Sequence, residues 1–456
     1  MIAPEIFRAY DIRGVVDKTL TIEAAREVGR ALGSLARENG GRAIAVGRDG
    51  RLSGPRLAAA LGDGIVSAGT DVIDIGMVPT PVTYFAAHQL GCGSCVSVTG
   101  SHNPPEYNGL KMVIAGQTLA GDAIQGLRHR IEAGRYANGQ GGKSSAAPLD
   151  DYVKRIVGDI RLERPFRIAV DCGNGVAGLI VPRLYRALGC EVTELFCEVD
   201  GNFPNHHPDP SQPKNLKTLI DTLAAGDCEL GLAFDGDGDR LGVVTRDGEI
   251  IFPDRQLMLY AQDVLSRNPG AEIIYDVKST RLLAPWIERH GGKATIWKTG
   301  HSFIKAKLQE TGAPLAGEMS GHTFFKERWY GFDDAMYTGA RLLEILSRSP
   351  DGNVVLKSLP NAPSTPELQW VLEEGEPHAL IEKLQAAAPF PAAAHVLTID
   401  GVRAEYPDGF GLARASNTTP VIVLRFEADS AQALARIQEE FRAALQPLKP
   451  GAKLPF

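Results

Sequence analysis

Three α/β units followed by a smaller α+β unit are predicted by two observations. Helix-spaced and strand-like apolar patterns alternate through about the first three-quarters of the chain. Beyond a proline-rich stretch from Leu359 to Glu367 the pattern changes, to strands and then a closing helix. Length alone, 456 residues at about 150 per domain, argues for about three domains with ample cores. The change near residue 360 is the better guide. Thr21 opens a helix carrying Ile22, Ala25, Val28, Leu32 and Leu35 at three- to four-residue spacing. Short apolar strands follow at Ala43–Val46, Val72–Ile75 and Cys95–Thr99, separated by helical stretches. Asn138–Ala147, with its GQGG and SSAA, has the composition of a linker. A second series starts at Arg167–Asp171 and ends in an aspartate-rich loop, after which Val243–Ile251 reads as a hairpin turning on Asp247-Gly248. A third series begins near Pro253, with strands at Glu272–Val277 and Ala294–Trp297 and a long helix after Phe332. In the last unit, strands are expected near His395–Ile399 and Val421–Phe426 with one between them, then one helix from Ser430 to Leu445. No short-period repeat is visible.

Net charge is −7, which argues against nucleic acid or an anionic membrane as a general partner. An acidic protein that binds phosphate must concentrate its positive charge locally. The segment from Met1 to Gly14 does not read as a signal peptide, and no apolar run approaches membrane-spanning length. Six scattered cysteines read as reduced and structural in a cytoplasmic protein. Cys92-Gly-Ser-Cys95 has CxxC spacing, but no second pair accompanies it.

The densest chemistry lies in Asp235-Gly-Asp237-Gly-Asp239-Arg240, directly after the apolar run Leu230–Phe234. Residues two apart point the same way in an extended chain, and the glycines let the backbone bend until three carboxylates converge. Such a cluster needs a cation, and hard oxygen ligands on a short loop suit Mg²⁺. An acidic turn that solvates a strand end is the plain alternative. An EF-hand fails, because Arg240 and Arg246 occupy its glycine and glutamate positions. A phosphatase with an aspartate nucleophile stays open on this segment alone.

Three further loops bear on phosphate or sugar. In Thr99-Gly-Ser101-His102-Asn103-Pro104-Pro105 the prolines fix an exposed turn, so Ser101 reads as a nucleophile or phosphate carrier with Lys111 ten residues on. A phosphate on Ser101 would complete the oxygen shell of the aspartate loop. Gly317-Glu318-Met319-Ser320-Gly321-His322 offers a carboxylate, a hydroxyl and an imidazole to a polyol. Arg414-Ala-Ser416-Asn417-Thr418-Thr419-Pro420 has the makings of a phosphate cradle. A plain turn remains the alternative for each. One motif points to a different class: Gly173-Asn-Gly175-Val-Ala-Gly178 follows a strand, with Glu198 and Asp200 beyond it, the form of a dinucleotide fingerprint and hence of a nicotinamide-dependent oxidoreductase. Glycines at such a turn also serve close packing.

In their order and spacing these loops, with Ala9-Tyr-Asp-Ile-Arg13-Gly, make the chain resemble the α-D-phosphohexomutases end to end. Met319 and the Arg414 loop resemble the phosphomannomutase/phosphoglucomutase branch, with the phosphoglucosamine mutases as the alternative. The resemblance implies three related α/β domains with mixed sheets around a central cleft, plus a C-terminal α+β domain like the TATA-box-binding protein. The units are expected at 1–147, 148–250, 251–361 and 362–456. It implies interconversion of hexose 1-phosphate and hexose 6-phosphate, for mannose and glucose, through a phosphoserine and a 1,6-bisphosphate, which also serves as activator. One Mg²⁺ would rest on Asp235, Asp237, Asp239 and phosphorylated Ser101. Lys111, Arg240 and His322 are implied catalytic groups. Glu318 and Ser320 would hold sugar hydroxyls, and Tyr10, Arg13, Lys278, His301 and His322 would line the cleft. Arg414, Ser416, Asn417 and Thr418 would anchor the non-reacting phosphate. A sugar-phosphate sensor on this scaffold would need a lost nucleophile or metal ligand, and none is lost. A monomer acting on small sugar phosphates in the cytoplasm is expected.

Overall fold

The first unit builds a mixed seven-stranded sheet. Ala43–Arg48 pairs in parallel with Asp71–Met77 on one side and Cys95–Val98 on the other. Tyr107–Ile114 then runs antiparallel to Cys95–Val98 and carries Ile12–Val15 at its far edge. The computed structural model of the chain describes residues 2–373, 375–387, 389–417 and 419–456. Thr21 caps the first long helix, Ile22–Glu38, by accepting a hydrogen bond from Ala24 N at 3.1 Å, as its position before an apolar-periodic run demands. That helix packs on Gly54–Ser67 so closely that a Cβ at Gly29 would stand 2.1 Å from Leu61 O. The expected linker contributes more than a connection. Lys143–Ser145, all exposed, adds a parallel edge strand to Asp71–Met77, held by backbone bonds that small polar residues do not advertise.

The second sheet runs Ile250–Ile251, Leu241–Thr245, Leu230–Phe234, Arg167–Asp171, Glu191–Leu195, with the hairpin at residues 241–251 turning through Gly248 at φ 86°. Leu230–Phe234 is buried along its whole length, which is why it reads as a continuous apolar run. It delivers the aspartate loop at its C-terminal end. The third sheet orders Lys293–Trp297, Glu272–Asp276, Leu315–Gly317, Thr323–Phe325, again parallel strands with one antiparallel edge. The fourth is five-stranded and antiparallel: Leu368–Val371, Val421–Ala428, Gly409–Ala415, Val402–Tyr406, His395–Leu397. Two strands, not one, lie between the expected pair, and both an edge strand at Leu368–Val371 and a helix at Glu376–Ala387 went unread. The helix shows only Leu380, Ile381 and Leu384 to its core, too few to stand out from a polar stretch. Along Gly409–Ala415, Phe410 and Leu412 pack on Val277 of the third unit. Ala413 joins the other face, which is covered by Glu376–Ala387 and Ala431–Leu445.

One apolar core runs through the second and third units and into the first, so these are welded rather than hinged. At the weld, Asp334 caps the helix Ala335–Ser347 through Tyr337 N at 3.0 Å. The same carboxylate accepts the Tyr152 hydroxyl at 2.8 Å and Trp329 Nε1 at 3.2 Å. Asp334→Ala strands buried donors from two units and removes a cap. We expect it to cost about 2–4 kcal/mol, read as a lower urea midpoint, with Asp334→Asn losing less.

Candidate active site

A cleft of about 300 Å³ is lined by residues from all four units. Its floor is the aspartate loop. Asp235 Oδ1 accepts the backbone N–H groups of Gly238, Asp239 and Arg240 at 3.0–3.1 Å, which curls the loop, with Gly238 at φ 79°. Asp235, Asp237 and Asp239 are fully buried, and one oxygen of each lies within 4.8 Å of the others. Lys111, opposite Ser97 in the first sheet, reaches across the unit boundary to Asp237 at 2.8 Å and Asp239 at 2.5 Å. Thr80 Oγ1 donates to Asp237 at 2.6 Å.

The charges do not balance on these groups alone. Burial pushes the Asp235 carboxyl well above the carboxylate range, as do Asp239 and Asp237. Burial acts the same way on Asp237, but Lys111 outweighs it and holds that group below the range. Lys111 is destabilised by burial, yet the facing aspartates keep it an ammonium. Asp237 Oδ1 and Asp239 Oδ1 are buried and make no hydrogen bond. Anionic oxygens left without donors in a dry pocket fit a hard divalent cation.

Ser101 stands over this floor. Its Oγ is 3.2 Å from Asp235 Oδ2 and 3.1 Å from His102 Nδ1. The sequence suggests an exposed turn; the structure buries Ser101 to 1% exposure, against Arg51 of its own unit and the aspartate loop of the second. Its φ is 51°, a left-handed conformation uncommon for serine. What holds it is Arg51, whose guanidinium donates to the carbonyls of Ser101, Asn103, Pro104 and Tyr107 at 2.6–3.0 Å. Arg51 and Thr80 were not found from sequence; the cluster Arg48-Asp49-Gly50-Arg51 after an apolar strand was the available signal.

Arg13 hydrogen-bonds Asn103 and pairs with Asp11 at the mouth of the serine loop. Tyr10 packs edge-on against His301 with ring centres 5.5 Å apart. Arg240 Nε donates to His322 Nε2 at 2.9 Å, and the two residues also bridge through their backbones. On its other side His322 Nδ1 lies 3.0 Å from Asp333, which Lys305 meets at 2.9 Å; neither Asp333 nor Lys305 was read as part of the site. Glu318 accepts Gly300 N, and burial pushes its carboxyl up to about 6, with His322 opposing. Ser320 lines the same wall. Lys278 pairs with Glu367 of the fourth unit at 2.6 Å.

Arg414 enters from the fourth sheet. Its Nε meets Asp400 at 3.0 Å, while Nη2 is buried and makes no hydrogen bond. Ser416 and Thr419 line the cleft beside it. Asn417 instead lines a neighbouring depression with Thr299, Asp400 and Gly401, in the turn beyond the end of the strand Gly409–Ala415. Thr418 lies outside the described residues. His207, Asp209, Ser211 and Gln212 close the cleft from the second unit; they carried no motif. The glycines of the 173–178 segment are used for packing. A Cβ at Gly175 would stand 2.9 Å from Gly236 Cα, and one at Gly178 2.0 Å from Cys197 O.

A four-unit α/β scaffold that sets a serine over a buried carboxylate cluster, with an arginine across the cleft, defines a metal-assisted phosphotransferase. Family models of phosphoglucomutase/phosphomannomutase α/β/α domains I, II and III match residues 4–138, 150–248 and 252–361, and that of the C-terminal domain matches 367–444. The phosphoglucomutase of Neisseria meningitidis is 59% identical over 98% of this chain and 97% of its own length. The phosphomannomutase/phosphoglucomutase of Pseudomonas aeruginosa is 57% identical over 99% and 97%. A crystal structure of a family protein from Burkholderia thailandensis superposes with TM-score 0.95 at 62% identity, covering both chains completely. The chain belongs to the phosphoglucomutase/phosphomannomutase family, and is thereby a phosphohexomutase, an intramolecular phosphotransferase. Because four carbonyls of the serine loop converge on one planar fork, Arg51→Lys keeps the charge and loses the shape. Turnover in a coupled mutase assay should fall by about tenfold or more, since small misplacements of reacting groups are costly.

Proposed function

We propose that this enzyme interconverts the 1- and 6-phosphates of mannose and glucose, with Ser101 phosphorylated in its active form. The carrying observation is the stack of Ser101 Oγ on Asp235, 3.2 Å apart, above carboxylate oxygens that lack donors. In the first transfer the bond between phosphorus and Ser101 Oγ breaks as a sugar hydroxyl forms its own bond to phosphorus, giving a 1,6-bisphosphate. The bisphosphate turns over in the cleft and returns its other phosphate to the serine. Lost bisphosphate is replaced from solution, which makes it an activator. Bound Mg²⁺, held by Asp235, Asp237, Asp239 and the serine phosphate, would offset charge on the transferring group.

Arg240 and Lys111 place positive charge beside that group. Lys111, fixed as an ammonium, acts through its charge rather than as a base. Burial, with Arg240 beside it, keeps His102 neutral, well below the usual imidazole range, so it suits proton exchange with the serine oxygen. His322, held between Asp333 and Arg240, is placed beside the sugar as a fixed polar group of the wall. Glu318 and Ser320 grip hydroxyls in both orientations, Tyr10, Arg13, Lys278 and His301 shape the walls, and Arg414 with Ser416 anchors the idle phosphate. The unit boundaries at 147/148 and 361/362 are supported by the breaks between sheets, whereas Ile251 still belongs to the second sheet, so the expected 250/251 boundary lies a little early. We take the protein as a cytoplasmic monomer; among the described residues no helix is long and apolar enough to cross a membrane.

Intact-mass spectrometry with peptide mapping should find phosphate on Ser101 of active enzyme. Turnover without added bisphosphate by protein that never carries it would end the scheme. Arg414→Ala should weaken 1-phosphate and 6-phosphate substrates alike, by roughly ten- to a hundredfold, as expected for one charged hydrogen bond of about 1.5–3 kcal/mol. If one isomer binds normally, the anchor serves a single orientation.

A further inference from the structure

Cys172 and Cys197 stand apart from the catalytic groups, yet they sit against the turn that supports the aspartate loop. Cys172 directly follows the strand Arg167–Asp171, and Cys197 lies two residues beyond Glu191–Leu195, its parallel neighbour. Their sulfurs are 3.6 Å apart, with Cys172 buried and Cys197 half-buried. The two chain segments are already zipped together: Cys172 N donates to Leu195 O at 3.1 Å and Asn174 N to Phe196 O at 2.8 Å. Little backbone movement separates this pair from a covalent bond of about 2.05 Å.

We propose that Cys172 and Cys197 form a reversible disulfide under hydroperoxide, and that the bond slows catalysis by displacing the aspartate loop. The more accessible thiol, Cys197, attacks the peroxide as thiolate; the O–O bond breaks, the sulfur becomes a sulfenic acid and an alcohol or water leaves. Cys172 then attacks that sulfur, releasing water and closing the disulfide, with two thiols oxidised for one peroxide reduced. A thiol reductant reverses the bond by exchange. Both segments are packed on glycines of the same turn, Gly178 against the Cys197 carbonyl and Gly175 against that of Cys172, so closure pulls on that turn. From Cys172 the path to the metal loop is short: Gly175 N donates to Cys172 O at 2.7 Å and Val176 N donates to Gly236 O at 3.1 Å.

The test uses fully reduced enzyme exposed to hydrogen peroxide, alkylated and mapped by mass spectrometry, with turnover measured before exposure, after it, and after dithiothreitol. The expected result is a Cys172–Cys197 cross-linked peptide, with turnover falling about tenfold in proportion to it and returning on reduction. Cys197→Ser should resist this loss and Cys92→Ser should show it. Absence of the cross-link under conditions that oxidise Cys92 overturns the site. A fully cross-linked enzyme that keeps its reduced rate, or equal inactivation of Cys197→Ser, overturns the coupling. The mapping needs no activity, so it stands apart from the assignment of substrate.

Discussion

Burying three carboxylates side by side is the constraint around which this molecule is arranged. At protein-like dielectric, like charges a few ångströms apart repel by several kcal/mol, and each has also lost its water. Lys111 supplies one compensating charge from the first unit, and Arg240 stands 4.0 Å from Asp235 at the loop's own end. Thr80 adds a hydroxyl from the first unit. Docking of the first two units is thus an electrostatic as well as an apolar event. The oxygens still lacking donors leave the cluster able to hold a cation.

The rest of the cleft extends that logic outward in shells of alternating charge. Asp333 stands between His322 and Lys305, His322 stands between Asp333 and Arg240, and Lys305 also donates to the Tyr84 hydroxyl at 3.2 Å. Each group is buried and each is oriented by the next, so side chains that meet a substrate are fixed before it arrives. The fourth unit is attached differently. Lys278–Glu367, Arg425–Asp254 and the Arg403 donations to the carbonyls of Val277 and Ser279 join it to the third unit, with a small apolar contact around Phe410. This seam is built of buried charged groups, where the other units share one apolar core.

What the sequence discloses follows from how local each device is. The aspartate loop, the serine turn and the Arg414 strand each fit within a few residues, and spacing with glycine or proline betrays them. The α/β series is equally legible, because fully buried strands such as Leu230–Phe234 leave apolar runs. Arg51, Thr80, Lys305 and Asp333 are hidden for the opposite reason: each acts on at least one partner 28 or more positions away, in ordinary sequence surroundings. Burial of Ser101 is hidden in the same way, since the covering groups, Arg51 and the aspartate loop, lie far from it along the chain. The strand Lys143–Ser145 escapes notice because an exposed edge needs only backbone, and the position of Asn417 beside the cleft is hidden because motif membership does not say which way a side chain faces.

The Lys111 bridge also bears on how the chain is made. Its two aspartates come 126 and 128 positions later, so a nascent first unit leaves the ribosome with this ammonium in water. At about 5–20 residues per second, several seconds pass before its partners emerge. During that interval Lys111 is hydrated, on a face that otherwise carries apolar residues such as Val78, Val82 and Phe85 awaiting the later units. Once Asp237 and Asp239 are made, the ammonium is neutralised across the boundary between the two units.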